Sequence, residues 1–183
     1  MSTVVSLPHF KCPPLIVMGV SGCGKTSVGE ALAAHLAVPF IEGDAMHPAS
    51  NIAKMSAGTP LNDEDRSPWL DALAQRLRRE AAANGGAIAS CSALKIIYRD
   101  RLQNEAGVNT KFVFLDCSRK TLERNQSHRK GHFMPQSLLD SQLATLEPPH
   151  SEARAIVVDG NQHFDSVIQS ILEKLHQGAL NDQ

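Results

Sequence analysis

The sequence predicts an α/β fold in which a parallel five-stranded sheet lies between two layers of helices. Three observations predict it. Short apolar runs recur along the chain, helical patterns separate them, and a glycine-rich loop joins the first run to the first helical pattern. Strands that alternate with helices form βαβ units with right-handed crossovers, so the strands lie parallel. In such sheets ligands bind beyond the carboxyl ends of the strands.

Each predicted element follows from its local pattern. The predicted strands cover residues 15–18, 38–42, 87–91, 111–116 and 155–159. The predicted helices cover residues 27–36, 51–57, 68–84, 96–105, 121–128, 136–145 and 165–175. Asn84, Gly85 and Gly86 end the long third helix, because glycine pairs mark turns.

The bulk composition is that of one soluble domain. The chain has 183 residues, a formal net charge of −1 and 42% hydrophobic residues, which is ordinary for a globular protein. The charge argues against a nucleic-acid-binding surface, and no apolar run is long enough to cross a membrane. Four cysteines without zinc or C-x-x-C spacing suit a reducing cytosol. We therefore expect a cytoplasmic protein with an extension over 1–14, one domain over 15–177 and a polar tail over 178–183.

The glycine-rich loop is the most informative motif. Residues 19–26 read G-V-S-G-C-G-K-T and fit the phosphate-binding pattern G-x-x-x-x-G-K-[ST]. The predicted nucleotide-binding residues are Gly19, Val20, Ser21, Gly22, Cys23, Gly24, Lys25 and Thr26. Backbone N–H groups of such a loop point at phosphate oxygens, Lys25 would reach the β- and γ-phosphates, and the Thr26 hydroxyl would bind Mg²⁺. A plain glycine turn is the alternative, but the strand before the loop and the helix after it favour nucleotide binding.

Two carboxylates follow the second predicted strand, at the sheet end that faces this loop. They are Glu42 and Asp44, on either side of Gly43. A carboxylate here could take a proton from a substrate hydroxyl or help to hold Mg²⁺ through water. Asp44 could instead cap the next turn, although its position favours function.

Charged residues are dense in two further segments. Within 60–70, Asp63 and Arg66 could form an ion pair, cap the following helix or grip a polar substrate. After the third strand, Lys95 and Arg99 are spaced i, i+4 and would share one helix face. Two cations beside a phosphate site could hold an anionic substrate, and a pair of surface charges is the alternative.

A cationic cluster begins near the end of the fifth predicted helix. Its members are Arg124, His128, Arg129, Lys130 and His132. A mobile lid over 124–135, with Gly131 as its hinge, would use this composition to bring arginine to a transferring phosphoryl group. A solvated helix end, where cations favour the helix dipole, is the alternative.

These motifs together resemble the gluconate kinases, a family of small P-loop enzymes. The matching segments are G-V-S-G-C-G-K-T at 19–26, G-D-A-M-H-P at 43–48, N-I-A-K-M at 51–55, G-T-P-L-N-D-E-D-R-S-P-W-L at 58–70, C-S-A-L-K-I-I-Y-R-D at 91–100 and R-K-G-H-F at 129–133. The phosphate loop is common to many kinases. The L-N-D-E-D-R-S-P-W-L and C-S-A-L-K-x-x-Y-R-D blocks are much more specific to this family.

The resemblance implies ATP- and Mg²⁺-dependent phosphorylation of D-gluconate to 6-phospho-D-gluconate. It implies a three-layer P-loop kinase fold like that of the nucleoside monophosphate kinases, with a small lid. It also implies catalytic roles for Lys25, Asp44 and Arg129, with Asp44 as the base, and nucleotide contacts for Arg124 and Arg129. The residues expected near the sugar acid are Asp44, His47, Asn51, Lys54, Arg66, Lys95, Arg99 and His132. Members of the family are commonly dimers, so we expect a homodimer.

The sequence departs from the family pattern at two positions. Cys23 stands in the phosphate loop where small residues such as serine are familiar. Asn125 stands four residues before Arg129, where the family pattern has an arginine, and Arg124 precedes it.

Two other functions stay open on the sequence. One is a P-loop kinase with another small polar acceptor, shikimate-like or another sugar acid. The other is a non-catalytic nucleotide-binding switch. The sequence has no N-K-x-D guanine-reading motif, and its polar segments favour a substrate pocket, so both observations argue against the switch.

Overall fold

A computed structural model describes residues 12–127 and 136–181. Its sheet has five strands in the order β2-β3-β1-β4-β5, and every neighbouring pair is parallel. The strands are β1 (Leu15–Met18), β2 (Phe40–Ile41), β3 (Ile88–Cys91), β4 (Lys111–Asp116) and β5 (Ala155–Asp159). The helices are α1 (Lys25–Leu36), α2 (Ala49–Ser56), α3 (Asp63–Asn84), α4 (Ile96–Ala106), α5 (Arg119–Ser127), α6 (Gln136–Thr145) and α7 (Phe164–Asn181). The predicted α/β class with a parallel five-stranded sheet is confirmed.

The central strand β1 separates two halves of the core. All of its residues are fully buried, and alternate residues of a strand point to opposite faces of the sheet. Leu15 and Val17 pack in one hydrophobic cluster with α1 and α7. Ile16 and Met18 pack in a second cluster with α3 and α4. Helices therefore cover both faces, which is the predicted three-layer arrangement.

Helix α3 begins at Asp63 and not, as predicted, at Pro68. The Asn62 side chain accepts a hydrogen bond from the Asp65 N–H at 2.8 Å, and the Asp65 carboxylate accepts one from the Asn62 N–H at 3.0 Å. This reciprocal capping box satisfies N–H groups that a helix start leaves without partners. The predicted end is correct, because Gly85 follows the helix with a left-handed φ of 74°.

The second strand is shorter than predicted and lies at the sheet edge. Only Phe40 and Ile41 pair with β3, and the chain then enters a short 3₁₀ turn at Asp44–Met46. Glu42 therefore lies beyond the ladder, at the carboxyl end of β2.

The last helix is longer than predicted. Helix α7 runs to Asn181, so the polar tail predicted from residue 178 is helical as far as that residue. A single glycine such as Gly178 costs a helix only about 1 kcal/mol, which explains why the helix continues through it.

Gly43 lets the chain after β2 approach β3 closely. A Cβ atom at this position would lie 1.9 Å from the Ser90 carbonyl oxygen. The Gly43 N–H donates to the Ser90 hydroxyl at 3.0 Å, and the indole N–H of Trp69 donates to the Gly43 carbonyl at 2.8 Å. Trp69 is 2% exposed. The turn that begins at Asp44 is therefore attached to the core through its preceding residue.

All four cysteines lie in the described residues, where no disulfide joins them, and three of them are buried. Burial raises the pKa of Cys12 to about 11 and that of Cys91 to about 12, so both stay protonated at neutral pH. Within the described ranges, no helix has the length and apolar character that a membrane crossing requires.

We expect Gly43→Ala to destabilise the fold by about 1–3 kcal/mol, because the added methyl group meets a backbone oxygen that cannot rotate away. Denaturant unfolding measures the effect. Gly178→Ala is the control, since a Cβ atom there meets nothing within 4 Å and alanine favours a helix over glycine. Wild-type stability of Gly43→Ala would show that the turn after β2 can move away from β3.

Candidate active site

The predicted phosphate loop lies between the end of β1 and the start of α1. Gly19, Gly22 and Gly24 have φ angles of 141°, 89° and 94°, which residues with side chains rarely adopt. Helix α1 begins at Lys25 and has no acidic residue in its first turn. The partial positive charge of its N-terminus is therefore available to an anion. The Lys25 ammonium donates to the Val20 carbonyl at 3.2 Å, so this side chain folds back over the loop.

Two side chains of helix α5 bind backbone carbonyl groups of the loop. The side-chain amide of Asn125 donates to the Gly22 carbonyl at 2.9 Å, and that of Gln126 donates to the Ser21 carbonyl at 3.2 Å. These contacts leave the N–H groups of the loop to other partners. Asn125 is the residue that stands where the family pattern has an arginine, and its contact with the loop was not predicted.

One loop N–H group bonds to a helix from elsewhere in the chain. The Ser21 N–H donates to Oε1 of Gln142, in α6, at 2.7 Å. Gln142 was not among the predicted site residues, because no local pattern signals a contact between positions 121 residues apart.

A hydroxyl and a carboxylate meet beside the loop. The Thr26 hydroxyl donates to Oε2 of Glu42 at 2.6 Å. The other Glu42 oxygen accepts from the Ser90 hydroxyl and from the Asp44 N–H, the latter at 3.3 Å. The sequence pattern pointed to Glu42 and Asp44 but selected only Asp44, so the structure adds Glu42 as the carboxylate in contact with Thr26. The Asp44 residue itself is exposed.

These oxygens fit a magnesium site of the kind that nucleotides complete. Mg²⁺ takes hard oxygen ligands, commonly one or two from the protein and the others from phosphates and water. Thr26 could bind the ion directly, and Glu42 could bind one of its waters. In the described part of the chain, His, Cys, Asp and Glu form no group of three or more that could hold a metal ion.

His47 and Asn51 form a polar surface after the Asp44 turn. The His47 ring stacks on Trp69, with centroids 3.9 Å apart and planes inclined by 20°. Asn51 is 2% exposed, donates to a backbone carbonyl of α3 at 2.9 Å and lies 3.3 Å from Nδ1 of His47. Burial is the main cause that lowers the pKa of His47 below its usual 6.5, while Asp44 opposes this and Arg66 adds to it. His47 is therefore neutral at pH 7.

Two lysines pair with carboxylates at the start of α3. The Lys54 ammonium lies 2.7 Å from the Asp65 carboxylate, and the Lys95 ammonium lies 2.7 Å from Asp63. The hydrogen bonds from these lysines are the largest cause that lowers the pKa of each carboxyl group, so both carboxyl groups are ionised at neutral pH. Of the three roles predicted for Asp63, the structure has an ion pair, but with Lys95 and not with Arg66.

The charge of Arg66 also lowers the pKa of Asp63 and Asp65. Its guanidinium lies over the Tyr98 ring, 5.6 Å from the centroid. Arg66 also lines a cavity of about 40 Å³, and side chains of α6 contribute to the same lining. The lining residues are Met55, Pro60, Leu61, Arg66, Leu94, Leu138, Ser141, Gln142 and Thr145. Ligand pockets measure several hundred cubic ångströms, so a sugar-sized acceptor needs these side chains to move apart.

Arg99 is buried and does not share an exposed face with Lys95, which corrects the prediction that the two side chains lie on one helix face. It is 0% exposed, and its guanidinium donates to the Ala93 carbonyl at 2.8 Å and to the Glu152 carboxylate at 3.0 Å. Burial opposes ionisation of Glu152, but hydrogen bonds from Arg99 and Arg154 lower its pKa. Arg99 therefore fixes the turn between β3 and α4. A direct contact with an acceptor stays an untested prediction that this geometry does not favour.

The predicted lid is described only at its beginning. Arg124 is exposed in the last turn of α5. Arg129 and His132 lie outside the described residues, as does the rest of the segment 128–135.

The described groups can perform phosphoryl transfer. The loop offers N–H groups, Lys25 and a helix N-terminus to phosphates, and Thr26 with Glu42 offers oxygens to Mg²⁺. Beyond Asp44 come neutral polar groups and cations, which suit a small anion rich in hydroxyl groups. Transfer between a nucleotide and such an acceptor depends mainly on positioning and charge stabilisation, and this arrangement supplies both.

Comparison with known proteins supports this interpretation. Residues 15–149 match the family described as AAA domain. The chain is 48% identical over 158 residues to a gluconokinase of Gluconobacter oxydans (strain 621H), which covers 86% of this chain and 88% of that protein. It is 42% identical over 171 residues to a probable gluconokinase of Xenopus tropicalis, which covers 86% of this chain and 90% of that protein.

A solved structure agrees with these relatives. The crystal structure of a gluconokinase from Sinorhizobium meliloti 1021 aligns with a TM-score of 0.85 at 48% identity, over 94% of this chain and 97% of that chain. The fold, the loop and the specific sequence blocks thus agree with these comparisons. The chain belongs to the gluconokinase family of P-loop kinases.

Proposed function

We propose that this protein transfers the γ-phosphoryl group of ATP to D-gluconate, releasing ADP and 6-phospho-D-gluconate. The contact between Thr26 and Glu42 is the observation that carries the proposal. It joins helix α1, which follows the phosphate loop, to the end of β2. The residues proposed to bind the acceptor begin there. Relatives named gluconokinase, at 42–48% identity, support the same substrate.

The loop residues 19–26 hold the nucleotide in this proposal. Lys25 leaves the Val20 carbonyl and reaches the β- and γ-phosphates. Thr26 and Glu42 would hold Mg²⁺, which would supply neutralisation of the phosphate charge. The acceptor hydroxyl attacks the γ-phosphorus directly, and the bond from that phosphorus to the ADP oxygen breaks. No covalent enzyme intermediate is needed.

Asp44 takes the proton of the attacking hydroxyl. The Glu42 carboxylate already accepts hydrogen bonds from Thr26 and Ser90, whereas Asp44 is exposed. Gly43, held against β3 and bonded to Trp69, fixes the backbone from which Asp44 projects.

Arg66 is the main cation for the acceptor carboxylate. Its guanidinium is planar and can donate two parallel hydrogen bonds to a carboxylate, and it lines the cavity described above. Lys54 and Lys95 can exchange the carboxylates of Asp65 and Asp63 for acceptor oxygens. Neutral His47 and buried Asn51 supply hydrogen bonds for hydroxyl groups.

The lid over 124–135 completes the proposed site. Arg124 and Arg129 contact the phosphates, His132 contacts the acceptor, and closure excludes water that would otherwise hydrolyse ATP.

We propose that the protein acts as a cytoplasmic homodimer that binds no nucleic acid. The absence of disulfides among the four cysteines supports the compartment, and the net charge of −1 supports the lack of nucleic-acid binding. The common dimeric state of the family supports the assembly.

Release of ADP from Mg·ATP tests the function. Gluconate, other sugar acids, shikimate, AMP and no acceptor are compared in parallel, and mass spectrometry identifies the product. We expect strong stimulation by gluconate alone. Stimulation by a different acceptor would keep the kinase and reject the substrate, and no stimulation despite nucleotide binding would favour a switch.

Lys25→Ala is expected to lower kcat by at least about 10²-fold, comparable with the loss of one transition-state donor. Steady-state kinetics with gluconate measures this. Lys120→Ala, which removes an exposed lysine of α5, is the control and should keep full turnover. Near-native turnover of Lys25→Ala would reject the assigned role.

Asp44→Asn is expected to lower kcat by about 10²- to 10⁴-fold, the usual contribution of a general base, with nucleotide affinity and unfolding temperature unchanged. Glu42→Gln separates the two carboxylates, because it should instead raise the Mg²⁺ concentration needed for half-maximal rate. If Asp44→Asn turns over normally, Asp44 is structural.

Arg66→Met is expected to lower kcat/KM for gluconate by about 10- to 100-fold, since a hydrogen bond to a charged group contributes about 1.5–3 kcal/mol. The KM for ATP should change much less. Arg101→Met is the control, because Arg101 pairs with Asp71 on the same two helices and is not among the cavity residues. Equal effects of both variants would place the acceptor carboxylate elsewhere.

A further inference from the structure

Side-chain amides from two helices bind the phosphate loop, but the hydrogen bonds run in opposite directions. Asn125 and Gln126 of α5 donate to loop carbonyls. Gln142 of α6 accepts from a loop N–H, that of Ser21. Only the second kind of contact uses a group that phosphate oxygens also need, because it is the N–H groups of such a loop that bind phosphate.

We infer that Gln142 couples the two substrates. Its carboxamide oxygen competes with phosphate for the Ser21 N–H, and once displaced by ATP it turns into the acceptor cavity and bonds gluconate. The second half of this inference rests on the proposed function.

The contact with Ser21 uses an oxygen acceptor at the distance that a phosphate oxygen would take. The carboxamide oxygen lies 2.7 Å from the Ser21 nitrogen, a short distance for a neutral N–H···O bond. A phosphate oxygen that takes this N–H must displace the carboxamide, and the lost bond lowers the apparent affinity for nucleotide.

The same side chain already lines the cavity on the acceptor side. Gln142 shares that cavity with Arg66, the proposed carboxylate-binding residue. Helix α6 is anchored in the core through fully buried Leu139, so rotation of the Gln142 side chain moves the carboxamide without moving the helix. A carboxamide offers two donors and an acceptor, which suits an acceptor rich in hydroxyl groups.

Competition with phosphate for the Ser21 N–H, together with binding of gluconate in the cavity, makes the two substrates bind cooperatively. ATP frees Gln142 for gluconate, and gluconate holds Gln142 away from the loop. Coupling between two ligands is reciprocal, so gluconate tightens nucleotide binding by the same factor by which nucleotide tightens gluconate binding.

Calorimetric titration of the full chain tests the inference, with Mg²⁺ and a non-hydrolysable ATP analogue, without and with saturating gluconate. Without gluconate, Gln142→Ala should bind the analogue up to about fivefold more tightly, the equivalent of one neutral hydrogen bond. Gln142→Glu should bind it more weakly than wild type, because a carboxylate holds the N–H more strongly and repels phosphate. Gluconate should tighten analogue binding clearly in wild type and much less in Gln142→Ala.

Gln126→Ala is the matched control, because it also removes a glutamine side chain from the loop, but one that binds a loop carbonyl and not a loop N–H. It should leave analogue binding unchanged or weaken it. General destabilisation cannot produce opposite effects of alanine and glutamate at position 142, and thermal unfolding of each variant checks the fold.

Unchanged or weaker analogue binding by Gln142→Ala would overturn the competition, and an equal gluconate effect in wild type and Gln142→Ala would overturn the coupling. Failure of gluconate to bind wild type would overturn the proposed function together with the acceptor half of the inference. The titrations without gluconate would still decide the competition.

Discussion

The carboxylate of Glu42 is the group on whose hydrogen bonds the rest of the site depends. One oxygen accepts from the Thr26 hydroxyl, and the other accepts from the Ser90 hydroxyl and the Asp44 N–H. These partners belong to α1, β3 and the turn after β2, so one charged group joins the helix of the phosphate loop to the acceptor side. Hydrogen bonds to an ionised acceptor are stronger than neutral ones. Gly43 makes the geometry possible, because only a residue without a Cβ atom can lie this close to β3.

Most of the sheet could be predicted because a strand buried on both faces has a continuous apolar run. The bounds predicted for β1, β4 and β5 agree with the structure. The edge strand β2 was predicted too long, because pairing there depends on where β3 lies and not on local composition. The start of α3 was missed because Pro68 is favoured at a helix start, while the box of Asn62 and Asp65 is a weaker signal than the usual Ser/Thr with Glu/Gln.

The candidate site could be predicted where one segment forms it, and not where distant segments meet. The loop 19–26 is contiguous, so its sequence specifies its shape. The contact of Gln142 with Ser21 and that of Arg99 with Glu152 each join distant parts of the chain. The i, i+4 argument for Lys95 and Arg99 failed for a local reason. Lys95 caps α4 with an extended ψ of 152°, so helical spacing does not relate the two side chains.

Burial decides which of the predicted cations can serve an anionic acceptor. The pairs of Lys54 with Asp65 and of Lys95 with Asp63 are at most partly buried, and ion pairs near the surface contribute little to stability, so an acceptor can replace the carboxylates at small cost. The pair of Arg99 and Glu152 is different, because the guanidinium has no contact with solvent and removing one partner of a buried pair leaves an uncompensated charge. Arg99 therefore holds the turn between β3 and α4, and its burial does not favour a direct contact with an acceptor. Arg66, which lines the cavity and lies over the Tyr98 ring, can bind an acceptor carboxylate without first breaking a pair of this kind.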